Sequence, residues 1–204
     1  MIKLKPMPER EKYLHVFGIV RSYQKHVLPF VEERLGYPAR HELNSVWQAA
    51  VIPIREDDPD DRKFAAAYSN WLWMARYSHD FLADLVDREG VADYKRLLLQ
   101  LYMHQYNNPD LALNRWFGNF AVHARAWAYE MQWMTPIEIS DISRKQVTCT
   151  VHPCKTLHTP GMERVCRVDC RNVGTALARK LYHLKRVDAT ADHGCKITLT
   201  PLEI

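Results

Sequence analysis

The chain has no stretch approaching the roughly 18 consecutive apolar residues that a membrane-spanning helix needs. Its opening, Met-Ile-Lys-Leu-Lys-Pro-Met-Pro-Glu-Arg, lacks the apolar centre of a secretory signal. A soluble, cytoplasmic protein without a membrane partner is the expectation. One-sided charge is missing too. The 28 Lys and Arg against 24 Asp and Glu leave a formal +4, spread along the chain rather than gathered into a stripe or tail, which argues against a nucleic-acid partner. There is no Cys-x-x-Cys pair, no internal repeat and no evident linker. The five cysteines are an odd number, whereas secreted disulfide frameworks pair evenly, so free thiols, metal ligands or a reactive cysteine are favoured.

What is present is ordinary globular material: 204 residues, 47% hydrophobic and 25% charged, enough for one well-buried core. The expected organisation is a single domain over 1–204, with a helical region over 1–135 and a cysteine-rich α+β region over 136–204. From Glu9 to Leu35, Leu14, Phe17, Val20, Val27, Leu28 and Val31 recur at three- and four-residue steps and predict an amphipathic helix. Gly36 is expected to stop it and Pro38 to prevent its resumption. The acidic run Glu56–Asp61 reads as a solvated loop leading into a helix over 61–89, ended by Gly90, with a shorter helix over 91–106. A further helix carries Leu113, Phe117, Phe120, Ala124, Trp127 and Met131 on one stripe.

After Pro136 the pattern changes. Ile137 and Ile139, then Val147, Cys149 and Val151, alternate with polar residues and predict a hairpin. A helix over 169–184 and two strands, 186–190 and 195–199, complete a β-β-α-β-β order. The fold class expected is α+β, with the helical region packed on a small antiparallel sheet.

Cys149, His152, Cys154, His158, Cys166, Asp169, Cys170, His193 and Cys195 all fall in this last part. Thiolate and imidazole suit zinc or iron, so Cys154, Cys170 and Cys195 are the metal-ligand candidates. Alternatively Cys170 is a nucleophile, because the expected helix begins near it and unpaired N–H groups there favour a thiolate. Asp169 or His193 would then handle the proton, with Arg171 near an anionic group of the substrate. On the preceding helix Trp116, His123, Trp127 and Glu130 form a flank that can wall a substrate pocket. Each of these residues also has a plain structural reading: a core thiol, a hydrogen-bonded histidine or an aromatic of the core.

Three segments carry a family resemblance: Val147-Thr148-Cys149-Thr150-Val151-His152-Pro153-Cys154, Cys166-Arg167-Val168-Asp169-Cys170 leading into Gly174-Thr175-Ala176-Leu177-Ala178, and Asp192-His193-Gly194-Cys195-Lys196-Ile197. Over about the last sixty residues the chain resembles the L-2-amino-thiazoline-4-carboxylic acid hydrolase-like family. The resemblance implies an α+β fold akin to the vinyl-4-reductase ligand-binding group. It further implies a small hydrolase that adds water to the C=N carbon of a sulfur–nitrogen heterocycle or cyclic amidine and expels a ring heteroatom. Two other classes fit the same residues: a non-catalytic module binding a metal or a small molecule, and a natural-product tailoring enzyme on the same scaffold.

Overall fold

The computed structural model describes residues 4–85, 87–106, 119–191 and 194–202. Its packing divides into two compact units, one of Pro8–Gln105 and one in which Met1–Met7 joins Tyr106–Ile204.

The first unit is helical. Helix α1 (Glu9–Leu35) buries Val16, Ile19, Val20, Tyr23, Val27 and Val31 at helical spacing, and its main partner is α3 (Asp60–Leu85). Gly36 ends α1 at φ 88°, where a side chain would be strained, and gives its N–H to the Glu32 carbonyl. Pro38 does not prevent helix from resuming. Helix α2 (Tyr37–Ala50) starts at once with Pro38 in its first turn, where a missing N–H forfeits no helical bond. Gly90 likewise does not end a helix. Asp87 accepts its N–H at 2.8 Å, and it lies in the first turn of α4 (Arg88–Tyr106). Trp71 Nε1 donates to the Tyr102 hydroxyl at 2.9 Å, tying α3 to α4 through the core.

The second unit is α+β. Helix α5 (Phe120–Glu130) is capped by Asn119, whose side chain accepts the Val122 N–H. The expected earlier part of this helix, with Leu113, Trp116 and Phe117, lies outside the described residues. A short 3₁₀ turn (Met131–Trp133) leads to β1 (Glu138–Ile142) and β2 (Val147–Val151). A single turn, α6 (Lys155–His158), is followed by an unbroken helical run: α7 (Glu163–Val165), a π-helical segment (Cys166–Val173) and α8 (Gly174–Tyr182). His183, at φ 53°, ends it. The run therefore begins before Asp169, and Leu184 belongs to β3 (Leu184–Ala191), which pairs with β4 (Gly194–Pro201).

The sheet is antiparallel in the order β1-β2-β4-β3. Its register sets Cys149 beside Ile139 and Ile197, Val151 beside Cys195, Leu199 beside Arg186 and Ile197 beside Asp188. Directly opposed residues share a face and alternate residues return to it. One face thus carries Ile139, Cys149, Val151, Cys195, Ile197, Leu199, Leu184, Arg186 and Asp188. Helix α5 packs across all four strands, and α8 packs on β3.

Candidate functional site

The inward face of β3 is unusual in carrying a charged pair. Arg186 and Asp188, two residues apart and so on the same side of the strand, have side chains only 1% and 3% exposed. Arg186 Nε and Nη2 donate to the two Asp188 oxygens at 2.7 and 2.9 Å, a bidentate pairing. The guanidinium also lies over the Trp127 ring at 5.2 Å, and Nη2 reaches Cys170 Sγ at 3.5 Å. Gly174 makes room for it: a Cβ there would stand 2.4 Å from Arg186 Nη1. Burial works against the charge of Arg186, but Cys170 and Asp188 beside it hold the guanidinium protonated beyond its ordinary range.

Beside this pair is a chamber within the second unit. Trp127, Met131, Met134, Thr135 and Ile137 form one side, Val151, Cys195 and Ile197 of the sheet another, and Cys154, Thr156, Leu157, Cys166, Cys170 and Arg171 the third. Its free volume is about 30 Å³. Four of the five cysteines line it, and the fifth, Cys149, is buried in the sheet core.

Cys166 and Cys170 stand four apart in the π-helical segment, and positions four apart lie on one side of a helical winding. They meet the chamber together, and Asp169, 2% exposed, turns into the protein.

Four of the thiols are held protonated. Burial pushes Cys149, Cys166 and Cys195 up to about 12 from the ordinary thiol value. Cys170 is also raised by burial, which outweighs the charge and hydrogen bond of Arg186. The expectation that a helix start would lower this thiol therefore fails. Cys170 sits inside a continuous helical run whose N–H groups are used within it.

The other expected residues scatter. Trp127 forms chamber wall and carries the Arg186 stack. Glu130 lies by Tyr106, whose own hydroxyl is pushed up by burial with Tyr182 and Glu130 adding to it. His123 is 6.4 Å, ring to ring, from His183. Neither His123 nor Glu130 is on the chamber wall. Arg171 is exposed and contributes to the wall. Trp116 and His193 lie outside the described residues. Cys154, Cys170 and Cys195 share the chamber, yet among the described residues no group of three or more His, Cys, Asp or Glu is gathered as a metal-ligand set.

The chain matches no family model, no curated protein and no solved structure.

Sequence reasoning missed Arg186, Asp188, Gly174 and Thr135. The signal was available for the first two: Leu184, Arg186 and Asp188 occupy alternate positions, so the face that buries the leucine must also bury both charges. Gly174 and Thr135 left no such trace, because their roles depend on which side chains approach them in space.

Proposed function

We propose that the second unit is a receptor for a small organic molecule, held in the thiol-lined chamber beside Arg186. The buried guanidinium, fixed by Asp188 and Trp127 at the chamber edge, carries this reading. A buried ion pair gives little or no net stability over apolar side chains of the same volume, so its presence on an otherwise apolar face calls for a use beyond folding. The wall suits a compact, polarisable guest: cysteine sulfurs and two methionine thioethers are soft and adaptable surfaces. A thermal-shift and titration screen of five- and six-membered nitrogen and sulfur heterocycles tests it. Binders should slow labelling of Cys166 and Cys195 and lose about tenfold in affinity in Arg186→Gln, the worth of one good hydrogen bond. Binders that protect neither thiol and ignore Arg186→Gln would sink the proposal.

The hydrolytic reading is favoured by one contact, the Arg186 N–H on Cys170 Sγ. A guanidinium there stabilises the thiolate once its proton has left. The Cys170 sulfur would add to the C=N carbon of a cyclic amidine while the thiol proton passes to the ring nitrogen. The ring bond to the heteroatom then breaks with its electron pair, and water cleaves the new bond to sulfur and restores the thiol. Asp169 or His193 would relay the proton. Turnover of 2-amino-thiazolines that disappears in Cys170→Ala while binding persists supports this reading. Absence of turnover by the purified protein removes it and leaves the receptor.

A further inference from the structure

Two polar atoms on the chamber residues have no hydrogen-bond partner: Trp127 Nε1 and Thr135 Oγ1. Both are deeply buried, Trp127 at 0% and Thr135 at 7% exposure. An indole nitrogen can only donate, whereas a hydroxyl can donate or accept. Buried donors are almost always satisfied in folded proteins, so each one that is not calls for a partner of matching chemistry. Here the matching group is a hydrogen-bond acceptor.

The charges around the chamber restrict that acceptor further. Arg186 is already matched in bidentate fashion by Asp188, so the two charges cancel at the wall. Burial holds Cys166, Cys170 and Cys195 protonated, so they bring no charge. Arg171 is exposed and meets water. An anion buried in the chamber would meet a guanidinium already paired with Asp188, and a cation would meet no carboxylate on the lining, so either would give up its water without gaining a counter-charge.

Resting on the receptor reading, we infer that the part of the guest enclosed by the chamber is uncharged and carries a carbonyl-like or imine-like acceptor received by the Trp127 indole N–H and the Thr135 hydroxyl. The space of about 30 Å³ accommodates water but not an organic ring. Entry of a ring therefore requires the walls to yield, and Met131 and Met134, with their unbranched thioether chains, are the side chains suited to do so.

Four compact five-membered probes test the inference: 2-pyrrolidinone as a neutral acceptor, cyclopentane with no acceptor, cyclopentanecarboxylate as an anion and pyrrolidinium as a cation. Binding is followed on the full chain by titration and by the ¹H–¹⁵N resonance of the Trp127 indole, assigned by its loss in Trp127→Phe. The lactam is expected to bind about tenfold tighter than each of the other three and to move the indole resonance downfield. Thr135→Val, which keeps the side-chain shape, should erase much of the lactam's advantage over cyclopentane.

Two results overturn the inference while leaving the receptor intact. One is equal or tighter binding of either charged probe; the other is equal binding of cyclopentane with the indole resonance unmoved by the lactam. Failure of all four probes to bind removes the receptor reading, and this inference with it. The affinity ranking of the four probes is read on the unaltered chain and does not depend on either variant folding.

Discussion

Arg186 concentrates the physics of the second unit in one side chain, because its guanidinium is bonded, stacked and walled in on several sides. Removing one member of a buried pair strands the other, so Arg186→Met should destabilise the protein by about 3–5 kcal/mol, whereas Arg186→Met with Asp188→Leu should recover most of the loss. Urea unfolding of the two single variants and the double variant measures that cycle. Gly174→Ala tests the same pair from the other side. The added methyl meets Nη1 at 2.4 Å, and the guanidinium cannot swing away without breaking its bonds to Asp188 and leaving Trp127. A loss of about 1–3 kcal/mol is expected, in the range of overpacking a filled core. The thiols make a pH prediction. In the unfolded chain they ionise near 9.0, while Cys149, Cys166 and Cys195 keep their protons up to about 12 when folded. The unfolded state is thus the one that releases protons first, and stability must fall as pH rises through the interval above 9. Thermal unfolding followed from pH 7 to 11 should show a progressive drop in Tm that flattens when these cysteines are replaced by alanine or serine.

At the scale of the element, the π-helical segment Cys166–Val173 carries Cys166 and Cys170 to one wall, as positions four apart lie on one side of a helix. The end of the helical run offers a test. His183 holds a left-handed conformation that glycine adopts without strain, so His183→Gly should raise stability by roughly 0.5–1 kcal/mol or leave it unchanged, despite the loss of its neighbour contact with His123.

At the scale of the molecule, the second unit is closed by the chain's opening residues. Met7 is 2% exposed, its N–H bonds to Gln132 Oε1 at 3.2 Å, and Gln132 Nε2 returns a bond to the Lys5 carbonyl at 3.0 Å. Gln132 belongs to the turn between Met131 and Trp133, the first of which is chamber wall. Met7→Ala should cost about 2–5 kcal/mol, as other methionine-to-alanine changes in cores do, and should speed labelling of the chamber cysteines. If labelling stays slow while stability falls, the opening segment supports the fold without supporting the chamber.

The helices and strands were legible because their signals are local. Residues three and four apart in α1 and α3, and two apart in β2 and β4, announce their faces in the order of the chain, and the α+β class follows from where one period gives way to the other. Errors fell at punctuation. Pro38 and Gly90 are helix breakers in a helix interior but are tolerated in a first turn, and only the neighbouring backbone decides which applies. The clustering of cysteines in the last part was legible too, as was Trp127 on an inward stripe. Three things were decided only by tertiary structure: that four thiols meet one chamber, that burial holds Cys166, Cys170 and Cys195 protonated, and that Arg186 rather than a helix end supplies the positive charge at Cys170. Each depends on distances between strands and helices far apart in the chain and on the water that their packing excludes, and neither quantity is written in the spacing of residues along it.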